Sequence, residues 1–421
     1  MPDAPTQKLP VTRLTAAPIE HDEPDWRRAQ RRSALEAFRA TGLPDPADEV
    51  WHYAPVERLS LEGIDLAERD VDGPMETAIG GRTPAAVITV RAGAVVAVEV
   101  GSEAGPLRVG ADAAPEGLGE LVGTSDAFCA LNLALNPSPL VIELAAPVAL
   151  DGPVVVLVDC PPGASLPRVV VRVAEGGSLR VLEHFTGPDA DLVAGVAEYF
   201  VADGANLEVC TVQSLGERAW SVLRTCARLG RSSSFTQVVA GLGASYDRVR
   251  ADAVLLGEGA SSTLHTAHVG SSDQVHDLRT MQDHIGARTV SRLHSKAAVA
   301  GSARSIYSGL IRMQRGARRA DARQVNNSLV LSEHARADAV PNLDIQENDV
   351  RCAHASTVGP VDPEQRWYLE SRGIAPVDAV QLIVEGFFAE VESLLDDAVL
   401  AAQLRDAISA LDASEATGVR T

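Results

Sequence analysis

PVVVLVDCPPGASLPRVVVRVAEGG, residues 153–177, holds two seven-residue runs dominated by valine, separated and closed by Pro and Gly. Runs this short and this β-branched suit strands better than helices, because a pleated surface accommodates branching at Cβ that a helix crowds. Outward from this stretch the texture repeats in AAVITV (85–90), VVAVEV (95–100), LVIEL (140–144), NLEVCTV (206–212) and SLVLS (328–332). A mainly β region is therefore expected over 85–361.

That region has a period. Gly177, Gly204, Gly230, Gly259, Gly286 and Gly316 recur at spacings of 27, 26, 29, 27 and 30. Self-similarity on this scale is the mark of a solenoid, in which each coil buries its inward side chains against the next. One coil of a β-helix per repeat follows, with two or three short strands and glycine at the tight corners. Glycine-rich turns of an ordinary all-β domain are the competing reading.

Helical signals flank the β region. Residues 1–80 read as a flexible lead followed by a helix, opened near Pro24 and stopped by Gly42 and Pro44; a second short helix is expected over PADEVWHY (46–53). An irregular acidic linker follows between Leu59 and Pro84. From 362 to 421 the period changes: Val377, Val380, Val384, Phe387, Val391, Leu394, Ala398 and Ala402 step by threes and fours. A C-terminal helical domain is expected there, with an acidic polar face that suits a basic partner surface or simply solvent.

The 421-residue chain is 46% hydrophobic and 22% charged, the usage of a folded protein, and carries a formal net charge of -20. Such charge repels nucleic acid and anionic membranes. The basic cluster Arg312, Arg315, Arg318, Arg319 and Arg323 reads as a solvated strand and turn. No run approaches the roughly 18 apolar residues of a membrane span and MPDAPTQKLPVTRL has no apolar core of a signal peptide, so a cytoplasmic protein with reduced thiols is expected.

Chemistry has few places to sit. In the run Val350-Arg351-Cys352-Ala353-His354, a strand would bring the Cys352 thiol and His354 imidazole to one face. A thiolate is a soft iron ligand or sulfur carrier, and an imidazole can ligate iron or lower the thiol pKa. Alternatively Cys352 is a small buried hydrophobe. His265, His268, His276, His284 and His294 lack the spacing of a metal motif and read as structural or surface residues. Gln324, Asn326 and Asn327 are expected in amide ladders or corner bonds. Cys129, Cys160, Cys210 and Cys226 form no Cys-x-x-Cys pair. There is no Gly-x-x-x-x-Gly-Lys-[Ser/Thr], and Lys8 and Lys296 are the only lysines, so neither P-loop ATP hydrolysis nor lysine-dependent pyridoxal chemistry is expected.

The order YSGLIRMQRGARRADARQVNNSLVLS (307–332), ADAVPNLDIQENDVRCAHASTVGPVD (337–362), WYLESRGI (367–374) and AVQLIVEGFFAEV (379–391) resembles the shared core of the SufB/SufD family of the SUF iron-sulfur cluster assembly system. EVWHY (49–53) is similar to the Glu-x-Trp-x-Tyr-Thr signature of its SufD branch, with Ala54 where Thr is usual. Length and the lack of extra N-terminal cysteines also favour that branch over SufB. The resemblance implies a right-handed parallel β-helix between helical domains. It implies a non-catalytic scaffold that pairs with SufB through the β-helix and docks the SufC ATPase on its C-terminal helices, with homodimerisation of the isolated chain left open. Cys352 and His354 match the family's Cys-x-His and would face a transient iron-sulfur cluster at the SufB interface; the resemblance also admits reduced flavin in the complex. The alternatives are a SufB-type paralogue, a β-helix polysaccharide lyase or hydrolase, disfavoured by 4% aromatic content, and a bare scaffold in which the pair only packs.

Overall fold

The computed structural model describes residues 14, 23–69, 82–102, 104–110, 117–395 and 397–411. Most of the expected flexible lead and much of the linker therefore lie outside the described residues; Leu14 of that lead is described and is fully buried in the cluster of Leu35 and Phe38. Strands dominate, and they form a parallel β-solenoid built from two facing sheets. In spatial order, the first sheet runs Ala94–Val100, Ala86–Arg91, Val154–Asp159, Ser178–Gly187, Asn206–Leu215, Ser234–Gly241, Ser261–Gly270, Val290–Val299, Asp321–Val330 and Arg351–Gly359. The second runs Leu107–Gly110, Leu140–Leu144, Arg168–Val173, Leu192–Val201, Trp220–Leu229, Tyr246–Leu255, Val275–His284, Arg304–Met313 and Arg336–Ile345. Each full coil contributes one strand to each sheet. In-register partners lie 26 residues apart at Trp220–Tyr246 and 32 at Arg304–Arg336.

The corners explain the glycine period and refine it. Gly176, Gly204, Ser232, Gly259, Arg288 and Arg319 take positive φ on successive coils. Their N–H groups donate to the carbonyls of Asp203, Arg231, Glu258, Ala287, Arg318 and Asp349, one ladder down the corner. Only Gly204 and Gly259 of the periodic glycines occupy that left-handed site; Ser232 and Arg288 bear its strain without glycine. Gly230 and Gly286 are instead close-approach positions, where a Cβ would meet the Asp203 nitrogen at 2.8 Å and the Gly257 carbonyl oxygen at 2.5 Å.

Between the sheets lies a core led by Val156, Val181, Tyr199, Leu207, Leu229 and Leu255. Outside the second sheet sit α1 (Asp25–Thr41) and α2 (Ala127–Leu135). The first matches expectation: it follows Pro24 and ends at Gly42, whose N–H bonds the Phe38 carbonyl. The second interrupts what reads as β territory. Its sequence AFCALNLAL lacks a β-branched residue, and the Asp126 carboxylate caps it by accepting from Cys129 N–H at 2.9 Å. A buried network fastens it: Arg168 pairs with Glu198 at 2.8 Å and donates to Asn132, while Glu198 accepts from the N–H groups of Gly119, Leu121 and Val122.

The helix expected over 46–53 does not form; turns lead into a single 3-10 turn at Val56–Arg58. Two arginines of the sheet hold this segment. Arg248 lies 3.7 Å from the Trp51 ring centre and donates to the Val50 carbonyl, and Arg304 covers Tyr53 and donates to its carbonyl. Beyond the last strand come α3 (Pro363–Ser371), α4 (Pro376–Leu394) and α5 (Ala398–Ser409). Their buried stripe is Val380, Val384, Phe388, Val391 and Leu395, continued by Leu400, Leu404 and Ile408 and packed on Val238, Ala240, Ala267 and Val269 of the first sheet. Val377 and Leu394 of the expected stripe are exposed and Phe387 only partly buried, whereas Ala379 and Phe388 complete the buried face of α4.

Candidate functional site

The last coil ends both sheets. Arg351–Gly359 pairs only with Asp321–Val330 among the described strands, and Arg336–Ile345 only with Arg304–Met313. On Asp321–Val330, Ala322, Gln324, Asn326 and Ser328 are buried between the sheets, while Arg323 points to solvent. Parallel in-register pairing puts Cys352 on Ala322, His354 on Gln324, Ser356 on Asn326 and Val358 on Ser328. Strand alternation then sends these four inward as well. No coil among the described residues covers them, and this inward face is open: on the facing strand Leu343 and Ile345 are likewise 40% and 48% exposed, and Val358 is 45% exposed. Solenoids normally cap such an end.

Cys352 and His354 thus share the open rim, as their spacing predicts. Cys352 is half-buried against Ile311, Met313, Ala317, Ala320 and Ala322. Burial, with the Asp321 carboxylate adding to it, pushes its thiol pKa up. The expectation that a neighbouring imidazole lowers the thiol pKa is thereby corrected: the free group is held as a thiol, and a metal or sulfur partner must displace its proton. His354 is exposed.

One coil beneath, polar groups crowd the floor. Asn326 donates to Ser356 at 3.3 Å, but both polar atoms of the Gln324 amide and the Tyr307 hydroxyl are buried without a hydrogen-bond partner among the described residues. Gly309 makes their room, since a Cβ there would meet the Gln324 nitrogen at 2.5 Å. The expected amide ladder is therefore absent at Gln324. Sequence reading misses Tyr307 and Gln324 as neighbours because they lie on facing sheets; the alternation carried through Gln324, Asn326 and His354 is the only signal.

The remaining singled-out residues fall elsewhere. His268 and His276 lie inside the solenoid, where His276 Nδ1 is 3.4 Å from Asp247. His284 is held by Thr289 at 2.8 Å and Ser291 at 2.9 Å. His265 and His294 stack in register on the outer face of the first sheet, and Lys296 beside them pairs with Glu390 at 3.1 Å and donates to the Phe387 carbonyl of α4. No group of three or more metal-capable side chains is found among the described residues. Cys129, Cys160, Cys210 and Cys226 are buried, and burial pushes the first, second and fourth thiols up to about 12. In the basic cluster, Arg312 pairs with Asp344 and Arg319 with Asp349. On α3, which buries no residue, Trp367 and Tyr368 stand exposed.

Residues 157–387 match the SUF system FeS cluster assembly, SufBD core domain. The chain belongs to the SufBD family. Among relatives, the iron-sulfur cluster assembly protein SufD of Escherichia coli (strain K12) is 28% identical over 403 residues, covering 90% of this chain and 91% of its own. SufD of Bacillus subtilis (strain 168) is 31% identical over 229 residues, 53% of this chain and 52% of its own. An iron-sulfur cluster assembly SufBD family protein of Mycobacterium tuberculosis is 27% identical over 368 residues, 85% of each chain. Within the SufBD family the chain is most like SufD and is a subunit of SUF-system iron-sulfur cluster assembly. No helix among its described residues is long and apolar enough to cross a membrane.

Proposed function

We propose that this chain is the SufD-like, non-catalytic scaffold of a SufBCD complex. Its open solenoid end pairs with SufB, its C-terminal helices dock the SufC ATPase, and Cys352 and His354 face the nascent cluster, which is cargo shared with SufB. The observation that carries the reading is the uncapped last coil. Two strand edges and an inward face holding Leu343, Ile345 and Val358 need a cover, and a second solenoid placed end to end supplies matching edges. In that arrangement the rim residues Cys352 and His354 become buried at the seam. There a thiol and an imidazole offer one soft and one borderline donor to iron.

Docking of SufC suits α3 and α4, where Trp367, Tyr368, Val377 and Leu382 present apolar surface away from the packed stripe. Aromatic residues are common interface anchors. ATP turnover then belongs to SufC, and the protein is placed in the cytoplasm with it. Co-purification tests the whole reading: tagged chain should retain a SufB paralogue and a SufC ATPase together. Val358→Asp should lose SufB and keep SufC, and removal of residues from 363 onward should lose SufC. Recovery of neither partner by the intact chain would overturn it.

A further inference from the structure

A cleft of about 600 Å³ lies on the other side of the second sheet, between its outer face and the 47–53 segment. Nothing in the assembly role above uses it. Its size is that of a small-molecule site, and such sites favour seams between structural units. One wall is the segment held by Arg248 and Arg304, with Val50 and Tyr53; the floor comes from four successive coils, with Arg250, Arg279, Met281, Leu310 and Val340.

The floor is cationic in a chain whose net charge is -20. Arg224, Arg250 and Arg279 stand in register on adjacent strands, about 4.8 Å apart from coil to coil. They share two carboxylates with Arg248: Asp252 pairs with Arg224 at 2.8 Å and Arg250 at 3.3 Å, and Asp277 with Arg248 and Arg279, each at 2.6 Å. Asp126, the cap of α2, adds a third carboxylate that acts on Arg224 and Arg248 from further off; four guanidiniums against three carboxylates still leave the network short of anions. Glu49, at the mouth, is exposed and screened by water. Arg250 commits only one nitrogen to Asp252 and Arg279 keeps Nη1, so N–H donors remain for a ligand where both line the cleft. Val50, Met281, Leu310 and Val340 add apolar surface beside them.

We propose that this cleft binds a small organic anion, with a phosphate or carboxylate end held by Arg250 and Arg279 and an apolar body lying against Met281 and Leu310. Phosphate and carboxylate each present two anionic oxygens that accept the charge-assisted fork of N–H donors on arginine's planar guanidinium. A bound ligand would touch both the 47–53 segment and, through Val340, the last coil.

Calorimetric titration of the full chain with phenyl phosphate, benzoate and neutral phenol tests this. At least one anion should saturate with a Kd below about 1 mM while phenol does not, and a preference of about tenfold between the anions tells phosphate from carboxylate. Arg250→Gln leaves Asp252 paired with Arg224, so its thermal unfolding should be unchanged while anion binding weakens by about tenfold or more. Ser308→Glu puts a carboxylate beside Arg279, its register partner, and should weaken binding similarly with every arginine in place. Absence of saturable binding by both anions up to about 10 mM, equal binding of phenol, or unchanged affinity in both variants overturns the proposal.

Discussion

His354 sits one coil above Gln324, its in-register partner on the neighbouring parallel strand, yet Gln324 is 2% exposed and His354 lies open to solvent. The contrast comes from position alone: one residue is roofed by a coil and the other is the roof. His354→Ala therefore removes a side chain that packs little. The isolated chain should keep its stability to within about 0.5 kcal/mol in denaturant unfolding. On the proposed function the variant still assembles with SufB and SufC but fails to restore cluster-dependent growth in cells lacking the wild-type copy. Full complementation would reduce the rim histidine to a bystander.

The same pairing predicts the opposite kind of outcome for Gln324. Its amide is buried with no partner among the described residues, and an unsatisfied polar group costs about 1–3 kcal/mol. Gln324→Leu, similar in shape, should leave the isolated chain as stable or raise its Tm by a few degrees. A loss beyond about 1 kcal/mol in chemical denaturation would mean that water satisfies the amide.

Much of this architecture is legible in the sequence because a solenoid repeats its constraints. Valine-rich runs, a period near 28 and the helical stripe after residue 362 each report one coil or one face, and inward alternation alone puts Cys352 beside His354. What escapes is non-local. In place of a 46–53 helix, the segment is held by Arg248 and Arg304, which lie 198 and 251 residues from the carbonyls they bond. The corner glycines are only partly right because Ser232 and Arg288 accept left-handed backbone. The raised thiol pKa of Cys352 comes from packing on Ile311 and Met313, which no local pattern announces.

Corner packing gives a sharper stability test. Gly257 lies against the backbone of Gly230 and Arg231, so a Cβ there collides with main chain that a corner ladder holds in place. Gly257→Ala should destabilise by about 1–3 kcal/mol, as overpacking does, read as a lower Tm. Gly386→Ala, on α4 with open space around it, should instead be neutral or stabilising by up to about 1 kcal/mol. Equal effects of the two would refute the close-approach argument.

Buried ionisable groups make stability depend on pH in a direction that can be worked out. Burial pushes Glu183 up from its ordinary 4.5 to about 7, although Thr211 donates to it at 2.7 Å and partly offsets the rise. Its folded form therefore holds a proton that the unfolded chain has released between about pH 4.5 and 7. Stability from this group is present below pH 4.5 and lost as pH rises through 7. His268 and His284 act in reverse: burial depresses both to about 4 from 6.5, so the unfolded chain binds more protons and acid destabilises the fold between those values. Two imidazoles outweigh one carboxyl, and the wild-type chain should lose stability on acidification from pH 6.5 to 4.5, by on the order of 1 kcal/mol per pH unit. Glu183→Gln keeps a donor and an acceptor in the same space but never ionises. Its advantage over wild type should be near zero at pH 4, grow as pH rises, and reach a plateau above pH 7 on the order of 3 kcal/mol. The acid limb set by the two histidines should steepen in the variant, because the opposing carboxyl is gone. Urea unfolding at half-unit steps from pH 4 to 8 measures both effects, and parallel curves for the two proteins would show that Glu183 ionises no differently in the folded and unfolded chain.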